Sequence, residues 1–139
     1  MTELQQHLDA IGACRVARVW AGDRTPEQAW ADCHRLDWLV WWHARTNEDR
    51  VPLMRWLCRM WKERTAQYVP AGELRPLACI EATERWCDDP SEENLAALRR
   101  ARSASYADAA AYAAAAERAQ WLESFRAEFA CPKISLDAE

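Results

Sequence analysis

Long apolar runs, glycine and lysine are all scarce in this sequence of 139 residues. No run of about 18 apolar residues occurs, so we do not expect a membrane-spanning helix. Glycine occurs only three times, and no run alternates clearly between apolar and polar residues, which favours helices over strands. The opening residues, MTELQQHLDAIGA, lack the basic and apolar segments of a signal peptide, so we expect a cytoplasmic protein.

Closely spaced cysteines are absent as well. The six cysteines are scattered along the chain, and no C-x-x-C pair occurs that could begin a zinc site. We therefore expect reduced thiols, no metal and no cofactor. Nucleophile–base–acid arrangements, glycine-rich phosphate loops and paired catalytic carboxylates have no recognisable signature either, so we do not expect an enzyme.

Helix-start signals are frequent instead. Thr2 and Thr25 each begin a capping box, in which a threonine caps the helix and a glutamine three residues later bonds back to it. The proline directly after Thr25 strengthens the second signal, because proline suits the first helical position. The first helix is predicted to run as far as Ala21, where Gly22 ends it.

The C-terminal third of the sequence is rich in alanine. Ten alanines lie between positions 104 and 119, and alanine has the highest helix propensity of any residue. Ser103 and Ser105 predict a turn at the beginning of this stretch. A long helix is then predicted to run to about Ala130.

Chain length and helix signals together define the expected fold. A chain of this size fits one domain and can bury a core without disulfides or a structural metal. We predict an all-α protein, a compact single-domain bundle of six or seven helices over residues 1–130. Its long Ala-rich helix lies at the C-terminal end, and residues 131–139 form a tail.

The segment ADCHRLDWLVWWHAR, at residues 31–45, holds three tryptophans in fifteen positions. On a helix, its apolar side chains would lie on two opposite sides. One interpretation is packing, with all three rings in the core, and the other is a docking surface that uses Trp41 and Trp42. Cys33 and His34 are adjacent and point in different directions on a helix, so we do not expect a metal site here.

Charged residues form two ridges on neighbouring predicted helices. A basic ridge follows the fourth predicted helix and consists of Arg55, Arg59 and Lys62. An acidic ridge follows the fifth and continues past its end, with Glu81, Glu84, Asp88, Asp89, Glu92 and Glu93. Each ridge can be an ordinary solvated face. The alternative is that the last four residues of the acidic ridge, called the acidic four below, dock onto a protein with a basic surface.

Four blocks of sequence occur in an order that resembles a known family. The blocks are ACRVARVWAG, then TPEQAWADC with DWLVWW, then RPLACIEATERWCDD, and finally an Ala-, Tyr- and Asp-rich helix; they span about residues 13–129. The chain resembles the immunity-protein family of bacteria and phages, which are small helical proteins rich in tryptophan and alanine. This chain has a short version of the family's Ala/Tyr-rich tract. The resemblance implies a non-enzymatic protein that acts by binding, in the cytoplasm of a bacterium or of an infected host cell.

The expected function is therefore that of a protein-binding inhibitor. It would occlude a partner protein, either a toxin, as immunity proteins do, or a host defence complex, as anti-CRISPR and other anti-defence proteins of phages do. The expected contact residues are Asp88, Asp89, Glu92 and Glu93, followed by Trp41 and Trp42.

Two other functions are compatible with the sequence. In the main alternative, the tryptophans line a pocket for a small molecule, such as a nucleotide signal, and quenching of tryptophan fluorescence would reveal its binding. A nucleic-acid binder could use Arg99, Arg100 and Arg102 with the basic ridge. The formal net charge of −4 argues against nucleic acid as a partner.

Overall fold

The computed structural model describes residues 1–112 and 118–134, with the side chains of 103–112 and of residue 118 left out. Within these residues the chain is all-helical and contains no strand, as the sequence predicts. This described part of the chain contains eight α-helices: α1 (Glu3–Ala10), α2 (Arg15–Ala21), α3 (Pro26–Asp32), α4 (Leu36–Thr46), α5 (Val51–Met60), α6 (Arg75–Asp88), α7 (Glu92–Tyr112) and α8 (Arg118–Glu128). No helix in the described part of the chain is long and apolar enough to cross a membrane.

The chain divides into two compact units. Unit 1 comprises Met1–Glu48 and Ala119–Glu139, so it contains α1 to α4 and almost all of α8. Unit 2 comprises Asp49–Arg118 and contains α5, α6 and α7. A single domain over residues 1–130 stays a prediction.

The first predicted helix is in fact two helices, which is one reason that the predicted count of six or seven is too low. After α1, Gly12 adopts a φ of 86°, in the left-handed region that other residues avoid. The amide of Gly12 donates to the carbonyl of Asp9 at 3.1 Å, and that of Ala13 donates to the carbonyl of Leu8 at 2.8 Å. These two bonds are those of a Schellman motif, so Gly12 ends α1 eleven residues before the position expected from the sequence.

The turn predicted at Ser103 and Ser105 is wrong, because both residues lie inside α7. The neighbouring alanines have a helix propensity high enough to carry two serines within a helix. The predicted long C-terminal helix corresponds to the end of α7 and to α8. Residues 113–117, between these two helices, lie outside the described residues. The predicted boundary at Gly22 is confirmed, since α2 ends at Ala21 and Gly22 has a φ of 48°.

The core of unit 1 is built from aromatic rings. Trp30 of α3 lies 5.7 Å from Trp42 of α4 and 5.4 Å from Phe125 of α8, measured between ring centroids. His43 lies 4.5 Å from Phe129, measured between ring centroids, and is buried. Aromatic rings at these separations bury large apolar areas, so Phe125 of α8 and Phe129, directly after its end, hold the C-terminal segment against the N-terminal helices.

Unit 2 packs α5 and α6 through smaller side chains around one tryptophan. Trp56 is fully buried, and Cys58 and Cys87 are buried in their helices, where a free cysteine behaves as a small apolar residue. The other buried side chains of these helices are Leu53, Met60, Pro76, Ala82 and Thr83. After α5 the chain continues through one π-helical turn (Trp61–Thr65) and one 3₁₀ turn (Ala66–Tyr68).

Candidate functional site

The tryptophans of the 31–45 segment occupy three different environments. Trp42 is only 5% exposed, and its indole Nε1 donates to Nε2 of His7 at 3.0 Å. Trp38 is half-buried, while Trp41 is 37% exposed. Packing alone therefore accounts for Trp42, and Trp41 has a surface that another molecule can reach.

A cavity of about 440 Å³ lies beside these rings, entirely within unit 1. Four tryptophans contribute to its lining: Trp20, Trp38, Trp41 and Trp42. The remaining wall is made of leucines, small residues and one acid: Leu4, Leu8, Gly12, Ala13, Cys14, Ala17, Ala21, Ala29, Cys33, Asp37 and Leu39. Ligand pockets for drug-sized molecules typically measure roughly 300–1,000 Å³ and are mostly apolar, so this cavity has both the size and the lining of a binding site.

The cavity exists because α2 presents small side chains to its neighbours. Ala17 and Ala21 of α2 are four residues apart, which places them on one face, and Trp20 lies beside them, while Ala13 lies just before the helix. An alanine fills little of the space between helices, whereas a leucine at the same position would project into it. The sequence contained this signal, but it has meaning only when α2 is known to lie against α1 and α4.

The mouth of the cavity is marked by those lining residues that are exposed to solvent. Gly12, Cys14, Asp37 and Trp41 are all exposed, whereas the lining residues Leu4, Leu39 and Cys33 are at most 2% exposed. The cavity thus runs from the turn after α1 and the outer edge of α4 down to the apolar core of unit 1. A ligand could enter at this mouth without any change in the core.

Titratable groups around the cavity are held in their neutral form or in an ion pair. Burial lowers the pKa of His7, which favours the neutral imidazole that accepts the hydrogen bond of Trp42. Burial likewise raises the pKa of the Cys33 thiol, so it is not an activated nucleophile. The hydrogen bonds from Arg35 lower the pKa of Asp37, and the two side chains form a bidentate pair with N···O distances of 2.9 and 2.6 Å.

The acidic four lie at the junction of α6 and α7 in unit 2, and all are exposed. Asp88 is paired with Arg55 of α5 at 3.0 Å, and Asp89 accepts a hydrogen bond from the Asn94 side chain at its backbone carbonyl at 2.9 Å. Glu92 and Glu93 lie in the first turn of α7, where negative charge is favourable for a helix. Each of the four thus has a role in the local structure of unit 2.

The two charged ridges predicted from the sequence lie opposite each other in unit 2. Besides the pair between Arg55 and Asp88, Lys62 Nζ lies 2.7 Å from Glu84 Oε2. Since each ridge neutralises part of the other, neither one presents its full charge to solvent. The sequence located both ridges but could not reveal their pairing.

The potential metal ligands of the 31–45 segment are not brought together. Cys33 is buried and its Sγ lies 3.5 Å from the carbonyl oxygen of Arg35, whereas His34 is exposed. Across residues 1–112 and 118–134, no group of three or more histidine, cysteine or acidic side chains is placed to hold a metal ion.

Comparison with known proteins gave no match: no family model, no curated protein and no solved structure is significantly similar to this chain. The resemblance to immunity proteins therefore stays a prediction, and what the protein does has to be argued from its own geometry.

Proposed function

We propose that this protein is a non-enzymatic binding module that takes a small, flat and largely apolar molecule into the tryptophan-lined cavity of unit 1. The observation that supports the proposal is the cavity itself, about 440 Å³ in volume and lined by four indole rings. Indole rings suit flat ligands, since they offer large, rigid apolar faces and lose little conformational freedom on binding. We place the protein in the cytoplasm of a bacterium or of an infected host cell.

N-phenyl-1-naphthylamine provides a direct test, because it is neutral and apolar and fluoresces strongly in apolar surroundings. We expect it to bind the protein with a dissociation constant in the micromolar range. Replacing Ala17 by leucine fills part of the cavity and should weaken binding at least tenfold. The matched control is Ala31→Leu on α3, where an exposed alanine outside the cavity gains the same apolar group.

A second readout needs no substitution. Cys14 is exposed and lines the cavity, so bound probe should slow its alkylation by iodoacetamide, as followed by mass spectrometry. The proposal is wrong if the probe binds the Ala17→Leu variant as well as it binds the unsubstituted protein and leaves the alkylation of Cys14 unchanged. Failure to bind the probe at all would also count against it.

A second candidate function is the protein-binding inhibitor of the immunity or anti-defence type. It is favoured by exposed apolar side chains on the outer face of α2, where Val16 is 68% and Val19 65% exposed. It is favoured too by the exposure of Glu92 and Glu93, which a partner with a basic surface could contact. A partner recovered from host lysate should bind a Glu92→Lys/Glu93→Lys variant at least tenfold more weakly, while Glu123→Lys on α8 should bind normally. Equal affinities would remove the acidic four from this hypothesis.

A further inference from the structure

Three arginines lie over three of the tryptophans that line the cavity. The guanidinium carbon of Arg24 is 4.2 Å from the centroid of the Trp20 ring, that of Arg35 is 4.6 Å from Trp38, and that of Arg45 is 5.8 Å from Trp41. At these distances a guanidinium is attracted by the negative face of an indole. Each of these three rings therefore already has a guanidinium over it. A cationic ligand would have to compete with these arginines for the same rings.

Two of the three arginines are also neutralised by a carboxylate. Arg24 lies 3.4 Å from Asp32, and Arg35 forms its bidentate pair with Asp37. Asp37 is the one acid among the described residues that line the cavity. Its negative charge at the cavity mouth is balanced by Arg35. Neither pair leaves a net charge for a ligand.

Arg45 differs from both. Its Nε and Nη2 donate to one acceptor, the carbonyl oxygen of Ile11, at 3.1 and 2.9 Å. Among the residues that the structure describes, no carboxylate lies within 4.0 Å of its guanidinium, and no hydrogen bond engages its Nη1. Arg45 is therefore an oriented positive charge with donor capacity left over.

The position of Arg45 brings this charge to the mouth of the cavity. A Cβ atom added to Gly12 would lie 3.8 Å from Nη2 of Arg45, and both Gly12 and Trp41 are exposed lining residues. An apolar group inside the cavity could therefore carry an anionic substituent that reaches the guanidinium. A guanidinium binds carboxylate, sulfonate or phosphate oxygens through charge-assisted hydrogen bonds, which are stronger than neutral ones.

We propose that the ligand of the cavity is a flat apolar molecule bearing one anionic group, and that Arg45 binds this group at the mouth. The inference rests on the proposed function, because it names the chemical class of the ligand for the same cavity. Arg45 then determines specificity for charge, while the tryptophans hold the apolar body.

Two probes with the same ring system separate these contributions. N-phenyl-1-naphthylamine is neutral, and 8-anilinonaphthalene-1-sulfonate adds a single sulfonate to the same skeleton. We expect the unsubstituted protein to bind the sulfonate roughly tenfold more tightly, the size of one charge-assisted hydrogen bond. Arg45→Gln should remove this preference while changing the affinity for the neutral probe less than twofold. Arg24→Gln is the matched control, since it removes a stacked arginine whose charge is already balanced, and it should keep the preference.

The outcomes distinguish the two proposals. If both probes bind with equal affinity, or if Arg45→Gln leaves the affinity for the sulfonate unchanged, the role of Arg45 is wrong and the cavity remains a binding site. If the Arg45→Gln variant binds both probes equally more weakly, the proposed role in charge recognition is also wrong, because the substitution then acts through the fold. If neither probe binds the unsubstituted protein, the proposed function itself is wrong.

Discussion

The two units of this protein differ in what surrounds their basic side chains. In unit 1, three arginines lie over tryptophan rings beside an apolar cavity, and one of them, Arg45, has no carboxylate partner in the described chain. In unit 2, Arg55 and Lys62 pair with acids of the neighbouring helix. Paired surface charges contribute little to binding or to stability. The contrast supports the proposal that unit 1 is the part that binds a ligand.

The tryptophan rings of the two units also differ in their surroundings. Unit 1 combines a buried ring, Trp42, with the exposed ring of Trp41 at a cavity, whereas in unit 2 Trp56 is fully buried and Trp61 and Trp86 are half-buried. A buried ring contributes to the free energy of folding, whereas an exposed ring beside a cavity is available to contact a ligand under the proposed function. Position in the fold, and not residue type, decides what each tryptophan does.

The largest effect should come from removing a buried ring in either unit. Trp42→Ala and Trp56→Ala should each lower the free energy of unfolding by roughly 3–5 kcal/mol, because each leaves a large void in a packed core. Trp41→Ala should cost less than about 1 kcal/mol, since this ring is partly in solvent. Urea denaturation followed by circular dichroism measures all three. A loss for Trp41→Ala as large as that for Trp42→Ala would contradict the assignment of Trp41 to the mouth of the cavity.

A smaller effect should separate two arginines that cap helix ends. Arg126 of α8 donates to the carbonyl oxygens of Trp30 and Cys33 at the end of α3 and is half-buried. Arg126→Met should cost about 1–3 kcal/mol, because two carbonyls lose a charged donor. In unit 2, Arg55 donates to the carbonyl of Cys87 at 3.2 Å, but its side chain is 52% exposed.

Because the Arg55 side chain is exposed, Arg55→Met should lower the free energy of unfolding by less than about 1 kcal/mol, since water replaces the lost donor. Thermal unfolding at low and at 0.5 M salt gives the comparison, and only the small Arg55 effect should depend clearly on salt. Equal losses for the two variants would mean that the helix ends of the two units are held in the same way.

The smallest effect should be a dependence of unit 1 on pH. Burial lowers the pKa of His7 below its value of 6.5 in an unfolded chain. The unfolded chain then binds a proton at a pH where the folded protein does not, so stability is complete above pH 6.5 and declines as the pH falls towards the folded pKa. His7→Gln keeps an acceptor for Trp42 but does not titrate, so its unfolding free energy should fall less over this range. Parallel pH profiles of the two proteins would show that His7 has no such role.

Local features of the fold could be read from the sequence, and long-range ones could not. The capping boxes at Thr2 and Thr25 are present, with the threonine amides bonded to Gln5 and Gln28, because both partners lie within four residues. Gly12 was missed even though glycine is the usual residue at this position of a Schellman motif. A single glycine inside an otherwise helical pattern does not reveal its φ.

A tryptophan-lined pocket was the main alternative that the sequence suggested, but the sequence could not show which residues form its walls. The hydrogen bond from Trp42 to His7 joins residues 35 positions apart, and Arg126 reaches Trp30 across 96 positions. The sequence identified the tryptophans as important but could not separate a buried ring from an accessible one. Nothing in the sequence indicated that Arg45 could bind an anion. That capacity depends on its surroundings: the carbonyl of Ile11, the turn at Gly12 and the absence of a carboxylate among the described neighbours.

Ligand binding in the cavity of unit 1 is tested most directly by NMR, by recording the indole N–H signals of the nine tryptophans while N-phenyl-1-naphthylamine is added. We expect the signals of the four cavity rings, Trp20, Trp38, Trp41 and Trp42, to shift together with one dissociation constant. The signals of Trp56, Trp61 and Trp86 of unit 2 should not shift. Shifts that are largest in unit 2, or a spectrum that does not change at saturating probe, would contradict a binding site in the cavity of unit 1.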